Sequence, residues 1–270
     1  MNAAPPWGWP RVRDHRFPDE AFPTIVAHRG ASSSRPENTL VAFEEAARLG
    51  ARVVELDVRL SRDGVAVVVH DPTVDRTTDG TGAVHELTAA ELGALNAGTP
   101  EHPAAVPALA EVLDLLSGRA AVALEIKNLP GEPAYEADGE SIVRAAHAEL
   151  DRTGFEGPAL VISFNPSSIA ASRALDPGVA TGLLATEHIP PADALALAGA
   201  GGHEMVLPGT RSLLPAGAEF VAAAHEAGLR VGTWTVDDAD LVGELLGWSV
   251  DAIASNDPET ALGVLAGRSR

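Results

Sequence analysis

TIVAHRGASSSRPENTLVAFEEAARLGARVVELDVRLSRDGVAVVVHDP, residues 24–72, changes periodicity three times and sets the architecture of everything after it. The apolar run 24–27, bounded by Pro23 and Gly30, suits a short buried strand with His28 and Arg29 at its exit. Asn38 is placed to cap a helix whose apolar residues Leu40, Val41, Phe43, Ala46, Ala47 and Leu49 recur at helical spacing, with Gly50 closing it. A second strand follows over 53–60. Because side chains alternate along a strand, Glu55 and Asp57 share one face. Asp63-Gly64 then reads as a two-residue hairpin turn between 53–62 and 65–70. That register sets Arg62 opposite Val65, Val58 opposite Val69 and Asp57 opposite His70. Facing Cβ atoms lie about 5 Å apart, so His70 is expected to return to the level of the carboxylates.

Downstream, residues 73–107 are rich in Gly, Pro, Thr and Asp around one short helical piece capped by Thr88, which fits an excursion over a rim. Beyond it helix and strand alternate regularly: helix 107–116, strand 121–126, helix 141–150, strand 159–163, helix 166–174, strand 179–185, helix 192–198, strand 204–207, helix 215–227, strand 230–236, helix 238–246, strand 251–254 and helix 258–265. With 24–27 and 53–60, this makes eight apolar parallel strands alternating with eight helices. Polar residues recur at the strand exits, which favours a closed α/β barrel over an open sheet: a (β/α)8 TIM barrel with a small insertion after strand 2. No phosphate-binding glycine fingerprint follows the first strand, and the cluster Gly199, Gly201 and Gly202 reads as a loop.

The length of 270 residues suits one such barrel. We expect an irregular N-terminal arm over 1–22 and a single barrel domain over 23–270, with the insertion at about 60–106. A formal net charge of −19 argues against nucleic-acid and anionic-membrane partners. No apolar run suggests stable membrane insertion, and the first residues lack a secretory pattern, so the expected location is cytoplasmic. With no cysteine, disulfide and thiolate chemistry are absent.

Near the exit of strand 121–126, Glu125 would complete a trio of carboxylates with Glu55 and Asp57 at one rim. Crowded anions call for a compensating cation, and an oxygen-only donor set points to one divalent cation, Ca2+ or Mg2+, rather than zinc. A competing reading pairs Glu125 with Lys127, two residues along, as a structural ion pair. His28 and His70 suit general acid and base, since imidazole titrates near neutrality. Arg29 offers a planar fork to a phosphate oxygen and Lys127 a point charge, although either could instead offset nearby carboxylates. Glu37 is a candidate for substrate binding or for fixing a loop, and Asn38 for fixing a loop. Phe164 and Trp234 could form an apolar wall for the substrate, or simply core. His15, His85, His102, His147, His188, His203 and His225 have no partner pattern and are read as surface or loop residues.

His28-Arg29-Gly30, Pro36-Glu37-Asn38-Thr39, Glu55-x-Asp57, Asp63-Gly64 and His70-Asp71, in that order, resemble the signature of the glycerophosphodiester phosphodiesterase family, within the phosphatidylinositol phospholipase C-like TIM-barrel superfamily. The resemblance continues through Arg76-Thr77-Thr78-Asp79-Gly80-Thr81-Gly82, Glu125-Ile126-Lys127, Trp234 and Asp257-Pro258. It implies a metal-dependent hydrolase that converts a small-molecule glycerophosphodiester to sn-glycerol 3-phosphate and an alcohol, with Glu55, Asp57 and Glu125 on the metal. Two positions depart from the pattern: Ser255-Asn256 where Thr-Asp is common, and Asp237 where Asn follows Trp-Thr-Val. Both are expected to lie away from the reacting groups. Two alternatives remain. A lysophospholipase D-like enzyme on the same barrel would need an apolar groove or membrane-facing patch that this acidic chain does not advertise. A catalytically silent phosphodiester-binding barrel would be expected to have lost a histidine or a metal carboxylate, and none is missing.

Overall fold

A computed structural model of the protein describes residues 15–268. The opening stretch forms β1 (Thr24–Ala27), α1 (Leu40–Leu49) and β2 (Val53–Leu60). There follow β3 (Ala66–Val68), the short α2 (Ala89–Gly93), α3 (Leu109–Leu116), β4 (Ala121–Ile126), α4 (Glu140–Thr153), β5 (Ala159–Ser163), α5 (Pro166–Leu175) and β6 (Ala180–Ala185). The chain ends through α6 (Pro191–Gly201), β7 (Met205–Pro208), α7 (Thr210–Glu226), β8 (Arg230–Thr233), α8 (Ala239–Gly247), β9 (Ala252–Ser255) and α9 (Pro258–Arg268). The parallel ladder runs β1-β9-β8-β7-β6-β5-β4-β2 and closes through β1 against β2, giving the expected eight-stranded barrel.

Burial on both faces explains the apolar strands. Val54, Leu56 and Val58 of β2 pack outward under the helices with Val122, Leu124 and Ile126 of β4. The alternate residues, Val53 and Glu55 of β2 and Ala123 and Glu125 of β4, face the barrel interior. Phe43 anchors α1 in the outer layer and is fully buried, a contribution of about 1.5–3 kcal/mol for a side chain of this size.

Four local expectations are corrected. Asn38 does not cap α1: Thr39 does, its hydroxyl accepting from Ala42 N, while Asn38 adopts a left-handed backbone with φ 58°. The hairpin register is shifted by one residue, with Leu60 opposite Ala66 and Val58 opposite Val68. Its loop is Arg62-Asp63-Gly64, with Gly64 at φ 77° and Val65 N donating to the Ser61 hydroxyl. Asp-Gly serves a three-residue loop with a left-handed glycine as readily as a two-residue turn. Gly199 and Gly201 lie inside α6, and only Gly202 leaves it, as the left-handed cap. α7 begins before Pro215 and is two helical pieces joined at Gly217, whose φ of 68° breaks the helix.

β2 outlasts β1. Its first residues pair with Val26 and Ala27, and its last pair antiparallel with β3 beyond the point where β1 ends. The chain between β3 and α3 packs on its own apolar cluster, including Val69, Val74, Val84, Leu92 and Val106, and Thr88 caps α2 in a capping box with Glu91. At the opposite end of the barrel Phe17 and Phe22 cover the floor, with the Arg230 guanidinium 4.4 Å from the Phe22 ring centroid. Residues 1–14 of the expected arm lie outside the described residues.

Candidate active site

The C-terminal ends of the strands bring the chemistry to one rim. His28 and Arg29 follow β1, Glu55 and Asp57 lie on β2, Glu125 is the penultimate residue of β4 and Lys127 follows that strand. Asp57 and Glu125 are register partners. One oxygen from each of Glu55, Asp57 and Glu125 lies within 4.8 Å of the others, and all three residues are buried. Lys127 Nζ stands 2.5 Å from Glu125 Oε1 and 3.0 Å from Asp57 Oδ1. The Lys127–Glu125 ion pair therefore forms, but as part of the carboxylate cluster rather than instead of it. The Arg29 backbone N–H donates to Glu55 Oε2 at 2.9 Å, and Arg29 Nε lies 3.2 Å from Asp57 Oδ2.

Three buried anions with two cations leave the cluster short of positive charge. Burial, then the charge of Asp57, pushes the Glu55 carboxyl up to about 8. Burial likewise pushes Glu125 up to about 7, against the pull of Lys127. For Asp57 burial acts in the same sense, but Lys127, Arg29, His70 and the Asn38 amide outweigh it and hold the carboxyl below the usual carboxylate range. Glu55 Oε1 is buried with no hydrogen-bond partner. An orphaned carboxylate oxygen beside two others is the donor set a hard divalent cation requires, so these three residues could hold a metal ion.

The two histidines have different supports. His28 Nδ1 is 2.7 Å from Asn256 Oδ1, and Nε2 is 3.9 Å from Glu55 Oε2. His70 Nδ1 is 2.6 Å from Asp71 Oδ1, and Arg76 grips the same carboxylate through Nε at 2.6 Å. Burial, then Arg29, holds His28 below the ordinary imidazole range; burial, then Lys127, does the same for His70. His70 reaches the rim although the strand register differs from expectation. Val69 N–H donates to the Asp57 carbonyl at 3.0 Å, and the chain leaves the ladder so that His70 lines the cavity with Glu55 and Lys127.

Phe164 and Trp234 meet edge to face, centroids 5.3 Å apart, and both line the same cavity. Glu37 stands apart from it. Both its oxygens are taken by Arg29 and Arg76 at 2.8–3.0 Å, so it braces the loop that carries Arg29. Asn38 fixes a loop as expected: its amide donates to Asp57 Oδ2 at 2.7 Å.

Sequence reasoning passed over three residues that support the histidines: Asp71 and Asn256 each bond a ring nitrogen, of His70 and His28, and Arg76 holds Asp71. Asp71 and Arg76 stood within the quoted motifs, one beside His70 and one opening the Arg76–Gly82 run. The expectation that the departures at positions 237 and 256 lie away from the proposed reacting groups fails for position 256, since Asn256 touches His28, while Asp237 stands one step behind it, accepting from Asn256 Nδ2 at 2.9 Å. His147 and His203 are likewise not surface residues. They are buried and bonded to Ser172 and Thr181 hydroxyls.

Comparison with known proteins agrees with this geometry. A glycerophosphodiester phosphodiesterase of Caldanaerobacter subterraneus is 34% identical over 248 residues, covering 89% of this chain and 97% of that protein. A Bacillus subtilis glycerophosphodiester phosphodiesterase is 30% identical, covering 87% and 83%. Among solved structures, an Oleispira antarctica phosphodiesterase in complex with the product sn-glycerol-3-phosphate superposes with a TM-score of 0.83 at 28% identity, covering 92% of this chain and 98% of that one. The model of the glycerophosphoryl diester phosphodiesterase family matches residues 28–260. Since that match takes in every side chain placed at the rim, from His28 to Asn256, the chain belongs to the glycerophosphoryl diester phosphodiesterase family.

Proposed function

We propose that the protein hydrolyses glycerophosphodiesters to sn-glycerol 3-phosphate and an alcohol. The observation that carries this reading is the convergence of three buried carboxylates, two cationic side chains and two separately supported histidines on one apolar-walled rim. Glu55, Asp57 and Glu125 would hold one divalent cation, Ca2+ or Mg2+, which when bound supplies positive charge against the phosphoryl group. Arg29 and Lys127 add fixed positive charge where negative charge develops.

The histidine supports suggest a division of labour. Asp237 is a carboxylate that accepts from the Asn256 side-chain nitrogen, so the Asn256 oxygen faces His28. His28 Nδ1 must then carry hydrogen, which leaves Nε2 with its lone pair toward the site as general base. His70 rests on a carboxylate that stabilises its imidazolium, so it acts as general acid toward the leaving alcohol. His28 takes a proton from the attacking hydroxyl, of water or of the substrate's glycerol, and His70 returns one to the alcohol oxygen.

The test uses chelator-stripped protein. Release of glycerol 3-phosphate from glycerophosphocholine and glycerophosphoethanolamine should vanish on stripping and return with Ca2+ or Mg2+. His28→Ala and His70→Ala should each lower turnover about 10²–10⁴-fold, the usual contribution of a positioned acid or base, with melting temperatures near that of the parent. Absence of cleavage of both diesters with every divalent cation overturns the reading.

A further inference from the structure

β2 carries a third charged residue beyond its two carboxylates. Strand alternation puts Arg59 on the face of Glu55 and Asp57, at the point where β2 has outrun β1 and pairs with Val67 of β3. Its guanidinium turns away from the carboxylate cluster. Nε donates to the His70 carbonyl at 2.8 Å, and Nη1 and Nη2 grip Glu132 at 2.6 and 3.0 Å. The Arg59 side chain is only 7% exposed. These three bonds bridge the backbone of His70 to the loop between β4 and α4, residues 127–139, which opens with Lys127.

Little besides Glu132 aims this arginine. Around Glu132 the loop runs as local turns, with Glu132 N–H donating to the Leu129 carbonyl and Tyr135 N–H to the Glu132 carbonyl, and Asn128 clasps its base through Glu136. Gly131, Pro133, Ala134 and Tyr135 are exposed, and a cavity of about 430 Å3 opens beside the pair, between the insertion and this loop. A two-pronged carboxylate fixes a guanidinium where such surroundings would not. The carbonyl that Arg59 holds belongs to the planar peptide joining His70 to Asp71. Rotation of that peptide would move the imidazole and its carboxylate support together. Val69 N–H on the Asp57 carbonyl secures the chain just before it, and Arg59 secures the peptide itself.

Resting on the phosphodiesterase reading, with His70 as its acid, we propose that Arg59 is a positioning residue: aimed by Glu132, it fixes the His70–Asp71 peptide so that His70 meets the oxygen of the departing alcohol. As the attacking oxygen bonds to phosphorus, the bond from phosphorus to the headgroup oxygen breaks. Its electron pair stays on that oxygen, and the His70 proton joins it. Arg59 touches none of these atoms, so its influence is confined to delivery of this one proton.

The experiment exploits a leaving group that departs without a proton. Turnover of glycerophosphocholine is compared with that of the glycerol 4-nitrophenyl phosphodiester, with the restored cation, in the parent, Arg59→Gln, His70→Ala and the double variant. Misplacing a catalytic group by about 1 Å can cost about 10²-fold, so in Arg59→Gln kcat for glycerophosphocholine should fall about 10- to 100-fold with KM nearly unmoved, and the ratio of choline-diester to nitrophenyl-diester kcat should fall at least tenfold. Glu132→Gln, which keeps a neutral acceptor for the guanidinium, should lower the ratio less. Arg59→Lys keeps the buried charge but lacks the fork that reaches both partners; it should lower the ratio as Arg59→Gln does, so a glutamine variant that fails to fold leaves the test intact. Added to His70→Ala, the Arg59 change should lower the ratio no further, because both act through one group. An equal loss on the two diesters, or a full additional loss in the double variant, makes Arg59 structural and overturns this inference while the phosphodiesterase reading stands. A His70→Ala variant that loses both diesters alike removes His70 as the acid and the inference with it. Cleavage of neither diester by the parent overturns the phosphodiesterase reading itself.

Discussion

Asn256 stands between His28 and Asp237, which keeps the negative charge one hydrogen bond away from His28. A carboxylate directly on Nδ1 would favour the imidazolium, whereas a neutral amide orients the ring without that bias. The paired variant Asp237→Asn with Asn256→Asp should therefore raise the pKa of the base and shift the acid limb of the kcat/KM profile toward higher pH by about one unit, a coupling of about 1.4 kcal/mol. An unmoved limb would assign the base role elsewhere. The carboxylates carry a second expectation. Glu55, held up at about 8, and Glu125, at about 7, keep protons near neutrality that a cation must displace. Apparent affinity for Ca2+ or Mg2+ should rise steadily from pH 6 to pH 8.5 in a calorimetric titration, with proton release that shrinks as pH climbs. In Glu55→Gln both the affinity and the upper part of this pH dependence should be lost.

At the scale of elements, what could be read from the sequence depended on whether local pattern or tertiary packing decides the outcome. β2 and β4 were legible to the residue because burial on both faces demands continuous apolar character, interrupted only where the rim needs carboxylates. The β2–β3 register was not, since Asp63-Gly64 fits two loop lengths and Ser61 selects the longer one by bonding to Val65 and Asp63. Nor could Asn256 be placed beside His28, because that contact joins opposite ends of the chain through the β1–β9 pairing. The buried histidine of α4 was missed for a similar reason: its burial depends on α5, whose Ser172 meets it at 2.9 Å. Burial holds the His147 pKa below its ordinary value. The folded state therefore binds fewer protons than the unfolded chain between its lowered pKa and about 6.5, so stability is fully present above about 6.5 and declines as pH falls through that window. Thermal unfolding followed from pH 7.5 to 5.5 should show a falling melting temperature, and His147→Gln should flatten the decline while lowering the plateau. An equally steep decline in the variant would assign it to other groups, His203 first, since burial lowers its pKa as well.

The molecule as a whole sets a negative field around a site built to hold phosphate. Its 38 acidic residues against 19 lysines and arginines give the formal charge of −19, while Arg29, Lys127 and Arg76 concentrate positive charge at the rim. These act over different ranges. The rim cations are close to or engaged with carboxylates and matter once the phosphodiester has arrived, whereas the net charge acts on approach, over distances that salt screens. A diester with a neutral headgroup, such as glycerophosphoglycerol, carries net charge and must climb that field; zwitterionic glycerophosphocholine does not. Raising NaCl from about 10 mM to about 150 mM shortens the screening length from about 30 Å to about 8 Å. At fixed divalent cation, kcat/KM for glycerophosphoglycerol should then rise several-fold while that for glycerophosphocholine stays level. A fall with salt for the anionic diester would mean that the rim cations govern approach as well as binding, and the acidic surface would then have no part in choosing among headgroups.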